Sequence, residues 1–72
     1  MTNTFLLLDR IRASGLKMGY IADQLNISRS TLHRKINNAT YFNQYEIEKL
    51  CVLLRITSAK EKEAIFFAKR VD

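Results

Sequence analysis

At 72 residues the chain has room for one domain, residues 1–72, and a small core. An apolar content of 47% excludes a disordered chain, and no stretch approaches the roughly 20 apolar residues that a membrane span needs. Twelve Lys and Arg against seven Asp and Glu leave a net charge of +5, which favours a polyanionic partner. The single cysteine, Cys51, rules out an internal disulfide and a multi-cysteine zinc site. It falls among apolar residues at helical spacing and reads as a buried, inert thiol. Proline is absent, so helices run uninterrupted and turns fall to Gly, Asn and Ser. The run Phe5-Leu6-Leu7-Leu8 is too short for a signal-peptide core and has no positive region before it, so the protein is expected to stay where it is made.

The first helix is expected from about Thr4 to Ser14, with Leu7, Leu8 and Ile11 inward and Gly15 as a left-handed C-terminal cap. Phe5 and Leu6 fall outside that stripe. A second helix follows from Met18 to Leu25, where Met18, Ile21, Ala22 and Leu25 complete one apolar face. Asn26 stands where the chain must turn sharply, and Asn tolerates the left-handed region better than any residue except Gly. Ser28 caps a third helix by accepting from the N–H of Ser30 or Thr31. Only Leu32 and Ile36 of that helix face inward, and Asn37-Asn38 ends it. A loop over residues 39–43 carries Tyr41 and Phe42. Asn43 with Glu46 forms a capping box for a fourth helix to about Leu54, with Phe42 stapled onto Ile47. Its inward residues are Ile47, Leu50, Cys51 and Leu54. Ser58 with Glu61 forms a second capping box, and a fifth helix runs from Ala59 to about Arg70. Ala64, Phe67, Ala68 and Val71 share its inward face.

Residues 16–38 form the informative constellation. A two-turn amphipathic helix, a tight turn and a second short helix follow one another. The second helix buries two residues and turns hydrogen-bonding or cationic side chains outward. A helix that enters a major groove needs this layout, because it must be held from behind while Arg and hydroxyl groups point forward. Ser28, Arg29, Ser30, Thr31, His33 and Arg34 form the face expected to read bases and neighbouring phosphates. Lys17, Lys35, Asn37, Asn38 and Tyr41, with Thr40 beside it, are placed for flanking phosphates, which fix register and carry no sequence information. The competing reading is a solvated cationic face on an ordinary helix bundle.

The stretch from Gly15 to Asn38 resembles the helix-turn-helix of the Cro/CI (XRE-type) regulators of phages and bacteria. The Ile21-Ala22 pair, Leu25 and the run Ile27-Ser28-Arg29-Ser30-Thr31-Leu32 carry the resemblance most specifically. It implies an all-α, five-helix, lambda-repressor-like domain. It also implies base reading by Arg29, Ser30 and Arg34, and a phosphate grip by Lys17, Met18, Asn37 and Asn38. The partner it implies is double-stranded operator DNA, bound by a homodimer in the bacterial cytoplasm at the nucleoid. By its length the chain looks like a Cro-sized regulator rather than a full CI repressor. Length and sequence also resemble the modulator-of-repression antirepressors of lactococcal temperate phages, which implies a complex with a CI-type repressor. Three departures stand out. Met18 replaces the usual Gln and cannot donate its hydrogen bond to a phosphate. Gly19 follows, at up to about 1 kcal/mol in helix propensity. Ile11 and Ile36 are expected in place of the buried Arg–Glu pair that often joins the family's first and third helices.

The remaining residues are weighed singly. His33, the only histidine, reads as a solvated or phosphate-contacting side chain, because acid–base or metal chemistry needs partners this chain lacks. On a helical wheel Phe66 points away from Ala64 and toward Lys62, Lys69 and Arg70. This predicts a partner or dimer surface made of those four residues, with a rotated or wedged fifth helix as the alternative. No nucleophile–base pair, metal cluster or phosphate-cradling Gly loop is present, so no enzyme, metal or cofactor is expected. The leading expectation is an operator-binding regulator. The alternative is an antirepressor that acts by capturing a repressor.

Overall fold

Among residues 1–69, which the computed structural model describes, the chain forms five α-helices and no strand: α1 (Thr4–Ser14), α2 (Met18–Gln24), α3 (Arg29–Ile36), α4 (Gln44–Leu53) and α5 (Ala59–Phe66). None is long and apolar enough to cross a membrane. Four of these helices begin where a side chain supplies the partner that the first turn lacks. Asn3, Ser28, Asn43 and Ser58 accept from the backbone N–H of Leu6, Thr31, Glu46 and Glu61. The expected box at α4 is complete, since Glu46 Oε1 also accepts from Asn43 N. The box expected at α5 is only half made. Ser58 caps Glu61 N, but the Glu61 carboxylate lies 3.4 Å from Nε of Arg10 instead. Arg10 has a larger task as well. Its Nη2 donates to the carbonyls of Leu54 (2.6 Å) and Arg55 (3.1 Å), closing the open end of α4.

The ends of α2, α3 and α4 share one geometry. The chain turns into the left-handed region at Asn26 (φ 57), Asn38 (φ 65) and Arg55 (φ 56). The next amide in each case reaches back: Ile27 to Ala22 O, Ala39 to Arg34 O, Ile56 to Cys51 O. Asn suits two of these positions. Arg55 is the costly one, because a left-handed L-residue without a short polar side chain loses about 1 kcal/mol or more. Arg55→Gly is therefore expected to stabilise the domain by about 1 kcal/mol. Urea denaturation tests this, and an unchanged or lower midpoint would refute it.

The core runs through all five helices. Leu7 and Ile11 meet Ile21, Ala22, Leu25, Leu32 and Ile36, and the layer continues through Ile47, Leu50, Leu54, Ile56, Ile65 and Phe66. Ile11 and Ile36 are both buried, and among the described residues no ion pair joins α1 to α3. Cys51 is only half-buried, less enclosed than expected. Burial still pushes its thiol above the ordinary range, the direction of an unreactive group.

The fifth helix departs most from expectation. It stops at Phe66, four residues early, and its buried residues are Ile65 and Phe66 rather than Ala64 and Phe67. Two causes act together. Phe66 packs edge-to-face on Phe42, with ring centroids 5.9 Å apart, and this pair buries far more apolar surface than Ala64 offers. From the carbonyl of Ile65 onward the backbone pairs with the amino terminus instead of continuing the helix. Ile65 O accepts from Asn3 N at 2.7 Å, and Ala68 N donates to Met1 O at 3.0 Å. Residues 1–3 thus form a strap along the end of α5. Val71 and Arg70, expected in this helix, lie outside the described residues.

Candidate functional site

α2, the turn at Asn26 and α3 pack as a unit, and Ser28 fixes where α3 starts. Ser28 Oγ accepts from Thr31 N (3.0 Å) and donates to Thr31 Oγ1 (2.9 Å). Leu32 and Ile36 anchor the helix on the core, almost fully buried. With those two positions spent inward, geometry leaves Arg29, Ser30, His33, Arg34 and Asn37 outward, and all five are exposed. Among the described residues neither Arg29 nor Arg34 makes an ion pair, and α3 contains no acid. Lys17, exposed at the start of α2, is likewise unpaired. The outcome is a short, rigidly held helix whose outer face is cationic and rich in donors.

Four residues expected on this face have structural work instead. Lys35 turns inward, its Nζ 2.6 Å from Oε1 of Glu46, and the pair is nearly closed to solvent. Its ammonium is therefore engaged with a carboxylate that is only 3% exposed. Asn38 is committed to the amino-terminal strap. Its Oδ1 accepts from Thr2 N and its Nδ2 donates to Thr2 O, both at 2.8 Å. Ser28 and Thr31 satisfy each other at the cap. Asn37 remains exposed, although its Nδ2 donates to His33 O at 2.9 Å. Tyr41 is exposed beside the end of α3, and the Thr40 hydroxyl is enclosed without a partner.

The surface expected around Phe66 requires correction. Phe66 is 4% exposed and belongs to the core, while Phe67, expected inside, is 51% exposed. Lys62 is held by the Glu48 carboxylate. That contact keeps Glu48 below the usual carboxylate range and Lys62 above its own. Lys69 is exposed, and Arg70 lies outside the described residues. A different apolar patch takes the place of the expected one. Met1, Tyr41 and Phe67, all exposed, rim a cavity of about 190 Å³ floored by Phe42, Ile47 and Phe66.

Sequence reasoning missed the burial of Glu46 and its pairing with Lys35. The capping box marked Glu46 as an N-terminal helix residue, but nothing local announces a partner eleven positions upstream. It also missed the strap, whose only local trace is Asn3 as a helix cap. Compared with family models, curated proteins and solved structures, the chain matches none.

Proposed function

We propose that the chain is a helix-turn-helix regulator of the Cro/CI type, with a lambda-repressor-like plan, that binds double-stranded operator DNA in a temperate-phage switch. α2, the turn at Asn26 and α3 constitute the motif, and α3 enters the major groove. The observation that carries this reading is the outer face of α3. Arg29, Ser30, His33, Arg34 and Asn37 stand exposed on a helix locked by Leu32 and Ile36, with no acid in α3 itself and no ion pair to either arginine among the described residues. Arg29 and Arg34 read base edges or grip phosphate, and Lys17 holds the flanking backbone. A symmetric dimer would set two such helices one duplex turn apart, about 34 Å.

The experiment is selection of a duplex from a random pool, followed by binding at two salt concentrations with wild type, Arg29→Ala and Arg34→Ala. A selected site should be preferred over random DNA, with affinity falling steeply as salt rises. Either substitution should cost about 1–3 kcal/mol where the arginine reads a base. Binding no tighter than to random DNA would sink this reading.

One observation favours a second reading, an antirepressor that captures a CI-type repressor and blocks its DNA binding. Met1, Tyr41 and Phe67 form an exposed apolar patch around a cavity, the kind of surface a protein partner covers. In that case Phe67→Ser would abolish a tight heterocomplex and Arg29→Ala would leave it intact.

A further inference from the structure

Gly19 lies in the first turn of α2 with ordinary helical backbone, so no turn or left-handed conformation calls for glycine there. Glycine weakens a helix, and Ala would serve the backbone better. The space above it holds a single neighbour. A Cβ placed on Gly19 would lie 3.8 Å from Nε of Arg29, and apart from its chain neighbours and the backbone of α2 itself no other described atom comes within 4 Å. Arg29 is the first residue of α3 and is exposed. Its side chain therefore comes back across the turn and lies over the bare backbone of α2. An exposed arginine otherwise samples many rotamers, and a fixed surface beneath it narrows that set.

We propose that Gly19 is a positioning residue for Arg29: the lack of a bulky side chain at position 19 leaves a shelf on α2 over which Arg29 lies, so the size of residue 19 decides which group of a bound duplex Arg29 reaches. The inference rests on the reading of α3 as the helix that faces DNA. It goes beyond that reading by assigning part of the sequence preference to a residue that makes no base contact. The contact distance sets a size rule. A methyl group at 3.8 Å is in ordinary contact with Arg29, so Ala keeps the arginine in place. A branched side chain such as Leu fills the shelf and displaces it.

Two measurements test this. In the free, isotopically labelled protein, nuclear Overhauser contacts should join the Gly19 α-protons to the Arg29 δ-protons. Their absence overturns the proposal whatever the protein binds. In the second, wild type, Gly19→Ala, Gly19→Leu, Arg29→Ala and the Gly19→Leu/Arg29→Ala double variant are titrated against the selected duplex and its single base-pair replacements, with thermal denaturation showing that each is folded. Arg29→Ala should lose a roughly tenfold preference at one base pair. Gly19→Leu should lose the same preference at the same pair, with other pairs and the salt dependence unchanged. Gly19→Ala should keep it, with a melting temperature higher by a few degrees. The double variant should be no worse than Arg29→Ala at that pair, because both changes act through one side chain. A Gly19→Leu protein that keeps the preference, or weakens evenly on every duplex, refutes the positioning role. A wild-type protein that selects no duplex overturns the DNA reading and the role in specificity together, while the Overhauser contact would still report the shelf.

Discussion

Lys35→Met is expected to destabilise the domain by about 3–5 kcal/mol, the usual cost of leaving a buried charge without its partner. Glu46 is 3% exposed, and its carboxylate faces Lys35 Nζ and the amide of Asn43. Removing the ammonium leaves one backbone hydrogen bond to hold a charge that water cannot reach. A domain of this size has a total stability of only about 4–11 kcal/mol, so the loss is a large share of the whole and, at the lower end of that range, leaves much of the population unfolded at 25 °C. Urea denaturation measures the loss. The informative control is Lys35→Met with Glu46→Leu. Replacing both partners by apolar groups of similar volume should recover most of the stability, short of the roughly 1 kcal/mol lost with half of the capping box. A single variant within about 1 kcal/mol of wild type would show that the pair is solvated in practice and that Lys35 is available to a phosphate after all.

Asn38→Ala should cost about 2–4 kcal/mol, from two sources that a second variant separates. The Asn38 amide satisfies both backbone groups of Thr2, a residue that is 6% exposed, and Ala leaves that donor and that acceptor without partners. Asn38 also has φ 65, a conformation that Ala tolerates worse than Asn. Asn38→Gly removes the amide and keeps the backbone comfortable, so it should be more stable than the Ala variant by about 1 kcal/mol. Denaturant midpoints for the three proteins give both terms. Equal stability of wild type and Asn38→Ala would show that the clasp between Asn38 and Thr2 contributes nothing to the native state.

What the sequence makes legible here is whatever the chain encodes locally. Gly15, Asn26, Ser28 and Asn43 act through bonds to residues within about five positions, and each stands where its residue type predicts. Leu7, Ile21, Leu32, Ile36 and Leu50 follow helical periodicity and are buried. The outward residues of α3 follow from the same periodicity once Leu32 and Ile36 are placed. Long-range choices are not legible in that way. The phase of α5 depends on Phe42 as a stacking partner and on the amino terminus as a backbone partner, and a helical wheel contains neither. Lys35 looks like any other cation on a polar face until a buried carboxylate is set opposite it. The same limit explains Asn38, whose partner Thr2 is 36 residues away.

That strap has a consequence for how the protein is born. Met1 and Ala68 exchange backbone hydrogen bonds across a separation of 67 residues, so residues 1–3 complete their contacts only after residues 65–68 have been made. Closing so long a loop carries a large entropic cost, which the helices formed earlier must offset by holding the ends near each other. A nascent chain that already displays α2 and α3 holds both Thr2 and Asn38, but residues 1–3 still lack the carbonyl of Ile65 and the backbone groups of Ala68. The strap's pairing with the end of α5 therefore follows the synthesis of α1 to α4, and α3 is laid down before it.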